Sequence, residues 1–305
     1  MARTESTRAR FIRLTGSYTV LLLLGVTMAL PFVWTALTSL KQEVEVFTGW
    51  MPSSPSLDNY GRVFDALPFG RFYINSAIVA VLATIGQVFT SSLAAYAFAR
   101  LTFRGRDVLF LGYLATMMIP RDVTMIPVFI LMKKLPLVAN AVFGTTYFGD
   151  DVWFLNLWYA GRPLGLNSYF ALIAPGMFSA YGTFMLRQFF LSISHEIEEA
   201  ATIDGCGLWG VYWRIVLPLS KPALATLTIF TFLGSWRSFI WPLIMTSSEE
   251  MMTLPVGLSQ LISFYVSEYT MIAAGSIVML LPMIFVFVLG QRWFVRGIQL
   301  GAVKG

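Results

Sequence analysis

Glu199-Ala200-Ala201-Thr202-Ile203-Asp204-Gly205, followed after a nine-residue spacer by Ile215-Val216-Leu217-Pro218, is an acidic, small-residue segment between two apolar stretches. It stands in a chain otherwise built for lipid: 57% of residues are hydrophobic, 12% are charged, and the mean hydropathy is +0.70. Soluble domains carry about 25% charged residues, so a soluble fold of this composition lacks the polar surface to cover itself. The reading is an all-α polytopic membrane protein, long enough for about six spans with short connections. A polar loop in such a chain suits the transfer of force to a cytoplasmic partner better than it suits catalysis.

Other functional classes fall away on residue counts. One cysteine, Cys206, excludes an internal disulfide, and one histidine, His195, cannot build a zinc cluster. His195-Glu196 lacks the second histidine of a zinc protease, and no serine or cysteine has a credible base, so no catalytic residue and no metal site is assigned. Gly205-Cys206-Gly207-Leu208-Trp209-Gly210 spells G-x-G-x-x-G, but it follows no strand and opens no βαβ unit. No P-loop pattern occurs, and Met117-Met118 and Met251-Met252 read as helix packing rather than a metal path. The net charge of +5 follows membrane topology rather than nucleic-acid binding.

Apolar stretches near 20 residues place six spans at about Gly16–Ser39, Tyr73–Phe98, Val108–Met132, Ser168–Phe190, Pro222–Met245 and Thr270–Trp293. Arg3, Arg8, Arg10 and Arg13 precede the first, whose apolar run is too long for a signal-peptide core and is read as an uncleaved span. The N-terminal arginines, Arg100–Arg106, the loop with Arg187, Arg214 and Lys221, and the tail with Arg292, Arg296 and Lys304 fall on one face. By the positive-inside rule, that face, both termini and the Glu199 loop are cytoplasmic. Residues 1–15 and 294–305 are then cytoplasmic tails around a permease domain of 16–293. Trp34, Trp50, Trp153, Trp158, Trp241 and Trp293 near span ends read as an interfacial belt, with sugar stacking as the alternative. The second outer loop, from about Lys133 to Leu166, is long and mixes turn-formers with aromatics around Thr145–Trp153.

Within the loop, Ser194 is an N-cap candidate and Glu196, Glu198 and Glu199 suit the positive end of a helix. Gly205 suits a left-handed stop, and a second short helix from about Leu208 presents Trp209, Trp213, Ile215 and Val216 as an apolar side. Pro218 and Pro222 then break the chain before the fifth span. The product is a helix–Gly–helix elbow. Ala200 and Ala201 offer little bulk to an approaching surface, and Glu199 and Asp204 offer charge to a basic partner. Composition alone leaves open an amphipathic interfacial pair with no partner.

The filled positions Glu199, Ala200, Ala201, Gly205, Ile215, Leu217 and Pro218 resemble the EAA motif of permease subunits of ATP-binding-cassette importers. Pro31–Lys41, Pro55–Tyr60, Asn75-Ser76, Thr253–Leu258 and Gly301–Gly305 are similar to the carbohydrate branch, the maltose-permease-like subunits. The resemblance implies a type I importer permease fold with a coupling helix around 191–221 that docks on a cytoplasmic ATPase. ATP and Mg would be bound there and not by this chain. It further implies two ATPase copies, a second homologous permease, and an extracytoplasmic solute-binding protein near Leu254, Pro255 and Gly257. Lys304 and Gly305 would reach the ATPase, and the translocation path would run between the two permeases. Two positions depart: Ser194 stands where the family often has proline, and Arg237 where asparagine is common. Trp236 and Arg237 are candidate path residues, with Arg237 favouring a polar or acidic glycan or, alternatively, bonding backbone carbonyls or Asp122. The expected solute is a sugar or oligosaccharide. A glycerol phosphodiester, or an ion-gradient carrier in place of an ATP-driven one, remains the alternative.

Overall fold

The computed structural model describes residues 7–143, 164–266 and 268–302, with side chains over 14–120, 122–138, 164–266 and 268–291. The Thr145–Trp153 stretch, Trp158, Lys304 and Gly305 lie outside the described residues, as does the side chain of Trp293.

Among the described residues the chain is helical and no strand occurs. The helices are α1 (Thr7–Ser39), α2 (Asp58–Ala66), α3 (Phe69–Arg100), α4 (Arg106–Ala115), α5 (Arg121–Phe143), α6 (Tyr169–Ile173) and α7 (Ala180–Leu191). They continue as α8 (His195–Ile203), α9 (Leu208–Val211), α10 (Leu217–Leu219), α11 (Lys221–Trp236), α12 (Ile240–Met245), α13 (Leu254–Phe264) and α14 (Tyr269–Ala302). Among the described residues four helices are long and apolar enough to cross a bilayer, or up to six if each of two sharply bent pairs is one span.

The third and fifth expected spans are not continuous helices. The third stretch is broken: Pro120 holds Ile119 extended at φ −85, ψ 117, and the flanking helices are bent by 101°. The fourth is present as expected, Tyr169–Leu191 being long and apolar enough to cross a bilayer, with Ala174–Met177 a 3-10 turn containing Pro175 and Gly176 inside it. The helix restarts at Ala180, with the Ser179 hydroxyl accepting from the Gly182 amide at 3.1 Å. The expected fifth span, Pro222–Met245, is interrupted between Trp236 and Ile240. Its bent partner instead precedes it, Leu208–Leu219 meeting Lys221–Trp236 at 76°.

The chain divides into two units, Met1–Leu67 with Leu258–Leu280 and Pro68–Gly257 with Leu281–Gly305. In the first, Asn59 Nδ2 donates to the carbonyls of Ser39 (2.9 Å) and Lys41 (2.8 Å). Lys41, 1% exposed, sits 4.6 Å over the Trp34 ring and donates to the Gly49 carbonyl. The Glu43 carboxylate accepts from the amides of Tyr269 and Thr270 at 2.9 and 3.1 Å, capping the positive end of α14.

In the second unit α3 is the spine, packed by α7 and α11. Its contact face is small: Ala80, Ala83, Ser91, Ser92, Ala95 and Ala99 are all buried. Backbones therefore approach closely, as lipid-embedded helices require. At the α3–α7 crossing a Cβ on Gly182 would fall 2.6 Å from Ser91 Oγ. Arg187, read as a loop cation, is instead a half-buried residue of α7 that donates to the Phe98 carbonyl (3.2 Å) and stacks 4.1 Å from the Phe110 ring.

Candidate functional site

The elbow forms as its sequence indicates. Ser194 is the N-cap of α8, its hydroxyl accepting from the Glu196 amide at 3.3 Å. The helix ends in a reversal at Gly205, φ +88, with the Cys206 amide bonded to the Ala201 carbonyl at 2.9 Å. A Cβ at Gly205 meets nothing within 4 Å, so any side chain there costs only the left-handed backbone penalty, about 1–2 kcal/mol. After α9 the turn widens to π over Tyr212–Val216 before α10. Pro218 has no N–H for the preceding turn.

Two faces result. Ala201, Val211, Tyr212 and Val216 are buried and join Leu186, Phe190, Ala95, Tyr96 and Ala99 in one cluster beneath the elbow. The Tyr212 hydroxyl pairs with Ser92 Oγ at 2.7 Å, and Tyr96 donates to the Leu208 carbonyl at 3.2 Å. The opposite face is open: Glu199, Ala200, Asp204 and Gly205 are exposed, and Ile203 is 87% exposed. This corrects two expectations. Ala201 does not face an incoming surface; its small side chain lets α8 settle on this chain's own helices. Trp209 and Trp213 are 66% and 53% exposed, while Val211 and Tyr212 supply the buried side. Ile215 and Leu217 are half-buried and Pro218 is exposed.

A second feature escaped sequence reasoning. Residues of α3, α5, α11, α12 and the Ala174–Met177 turn line a half-open cavity of about 970 Å³. Its polar lining includes Gln87, Asp122, Thr231, Ser235 and Ser238, with Gln87 Nε2 donating to Thr231 Oγ1 at 3.0 Å. Thr231, Ser235 and Ser238 recur at spacings of four and three along α11 and past its end, a polar stripe that could have been read from the sequence. Trp236 and Arg237, the path candidates, do not line this cavity. Trp236 is 2% exposed, edge-on to Tyr73 at 5.4 Å and stacked on Phe232 at 5.8 Å. Arg237 caps α11 at the helix break, its backbone N–H donating to the Leu233 carbonyl at 3.3 Å, and its exposed side chain bonds neither Asp122 nor a backbone carbonyl among the described residues.

The loop before α13 also differs from expectation. Leu254, Pro255 and Gly257 are buried, Gly257 lying against the Phe72 ring. The exposed side chains there are Ser247, Glu249 and Glu250. Asn75 fixes this loop from α3, donating to the carbonyls of Glu250 (2.7 Å) and Met252 (2.8 Å). Ser76 Oγ accepts from the Leu254 amide at 2.7 Å. Trp241, assigned to the interfacial belt, donates inward to the Ala171 carbonyl at 3.1 Å.

Comparison with known proteins bears on these features. A family model described as "Binding-protein-dependent transport system inner membrane component" matches residues 87–300. The arabinooligosaccharides transport system permease protein AraQ of Bacillus subtilis is 32% identical over 290 residues, covering 93% of each chain. Its Halalkalibacterium halodurans counterpart is 34% identical over 255 residues, 83% of this chain and 81% of that one. The sn-glycerol-3-phosphate transport system permease protein UgpE of Yersinia pestis is 33% identical over 291 residues, 92% of this chain and 94% of that one. A chain of a bacterial ABC transporter involved in the import of the acidic polysaccharide alginate superposes with a TM-score of 0.77 at 23% identity, over 96% of this chain and all of that one. The fold is thus the type I importer permease fold. Matched through the elbow and the core beneath it, and related along nearly its whole length to transport permeases, this chain belongs to the binding-protein-dependent transport system inner membrane components.

Proposed function

We propose that the chain is one of two homologous permease subunits in an ATP-driven importer of sugars or oligosaccharides. The observation that carries this is the divided elbow. One face, through Ala201, Tyr212 and Val216, is built into the helical core, and the other presents Glu199, Ile203 and Asp204, whose side chains have no partner among the described residues. A lever needs both a rigid seat and a free contact face. Two copies of a cytoplasmic ATPase bind ATP and Mg, and the elbow around 191–221 takes up their motion. Both termini lie in the cytoplasm, the 294–305 tail with Lys304 and Gly305 runs toward the ATPase, and residues 16–293 form the membrane domain. A solute-binding protein delivers cargo on the other side, where Glu249 and Glu250 are the exposed groups of the loop held by Asn75.

The named relatives support a sugar or sugar-like solute. The cavity favours a neutral one: hydroxyls of Thr231, Ser235 and Ser238 and the Gln87 amide suit a polyol, and Asp122 is the sole carboxylate among its described lining residues. Charge at Asp122 disfavours an anion by about 1 kcal/mol across water, about fivefold in rate ratio. Asp122→Asn is therefore expected to raise uptake of sn-glycerol 3-phosphate relative to a neutral trisaccharide by about that factor. An unchanged ratio removes Asp122 from the path.

The reading itself is tested by reconstituting the complex in liposomes. Uptake should require internal ATP and the binding protein and should persist when ionophores collapse all ion gradients. Uptake that follows an ion gradient without ATP makes the protein a secondary carrier instead.

A further inference from the structure

The Arg100 guanidinium, at the last residue of α3, touches four separate groups of the elbow and its approach. Its Nη2 donates to the carbonyls of Phe190 (2.6 Å) and Ile193 (2.7 Å), at the end of α7. Its Nη1 lies 2.9 Å from His195 Nε2, at the first residue of α8, and its Nε lies 2.7 Å from Glu198 Oε1. The pair is enclosed, the side chains being 2% and 13% exposed. Helix ends leave carbonyls unsatisfied, and one planar fork here satisfies two of them while holding a carboxylate one turn into the next helix.

We propose that Arg100 is a positioning residue of the importer: it rivets α8 to the ends of α3 and α7, so that a push on the elbow moves these helices as one body. The proposal rests on the elbow being the point where force arrives. The apolar cluster beneath α8 supplies adhesion but little direction, since only Ala201 of α8 enters it. The rivet supplies direction. Glu198, which precedes the motif glutamate Glu199, faces inward to Arg100 and leaves Glu199 for the partner.

The test uses the reconstituted complex with its ATPase and binding protein. Nitroxide labels are placed by Ile197→Cys and Tyr181→Cys, both exposed, in a Cys206→Ser background. Pulsed electron-electron resonance then reads the distance from the elbow to the far end of α7, with and without ATP. One narrow distance, unchanged by ATP, is expected. Arg100→Met should lose it, giving a broad distribution that shifts on ATP addition, while ATP hydrolysis continues. Because Arg100→Met leaves the Glu198 charge buried, Arg100→Met with Glu198→Met is the second variant. It should recover thermal stability and still show the broad, ATP-sensitive distance. A narrow, ATP-insensitive distance in assembled Arg100→Met overturns the proposal, as does a distance that narrows in step with regained stability in the double variant. If the unsubstituted complex hydrolyses no ATP or binds no ATPase, the importer reading fails instead, and the narrow distance still reports whether the rivet holds.

Discussion

Glu199→Lys is expected to lower ATP-driven uptake by about 100-fold while leaving the isolated subunit as stable as before. Glu199 is exposed and makes no ion pair or side-chain hydrogen bond among the described residues, so its replacement removes nothing from the fold. Its worth lies in what docks on it. Reversing a charge at a complementary interface costs several kcal/mol, and about 3 kcal/mol is about 100-fold in association. Affinity of detergent-purified permease complex for its ATPase, with uptake in parallel, reads both effects. The neighbouring Glu198→Lys should behave differently, because Glu198 is paired inward with Arg100 and its loss costs stability. If Glu199→Lys assembles and transports normally, the open face of the elbow is not the docking face.

Gly257→Ala should destabilise the protein by about 1–3 kcal/mol, because a side chain at this helix start overpacks the core. The added Cβ would lie 2.9 Å even from Phe72 Cγ and closer to the ring edge, and Phe72 is fully buried against Phe69. A rigid aromatic ring in a filled site has nowhere to turn. Gly86→Ala is the matched control: the atoms nearest its Cβ all belong to Met177, a flexible, half-buried thioether that can change rotamer. The thermal midpoint of solubilised protein should fall clearly for Gly257→Ala and less for Gly86→Ala. Equal shifts would mean that the α3–α13 approach is not tight.

What the sequence made legible was whatever local chemistry decides. The Ser194 cap, the Gly205 reversal and the long apolar α1, α3 and α14 follow from short-range preferences and from hydropathy, and the structure has them. Asn75 and Ser76, matched only as part of a resemblance, turn out to hold the loop before α13 through side-chain to backbone bonds. Hidden were facts set by which face turns inward. Ala200 and Ala201 are chemically identical, yet one is exposed and the other buried, because α8 has a seat on α3 and α7. The same blindness put Leu254, Pro255 and Gly257 on a docking surface when they form the packed base of the loop. Arg237 in an apolar run looked like an intramembrane charge; the helix break after Trp236 lets it sit exposed at a cap. The cavity was hidden for another reason, since Gln87, Asp122 and Thr231 come from three helices far apart in sequence.

Cross-linking from the elbow tests the central claim most directly. With Ile203→Cys in a Cys206→Ser background, a short bifunctional reagent applied to inverted membrane vesicles should join this subunit to the ATPase. The yield should change when ATP is added. A membrane-impermeant thiol reagent added outside intact cells should leave the residue unlabelled. Labelling from outside, or cross-links to this chain alone with the ATPase present, would contradict the account of the elbow as a cytoplasmic lever.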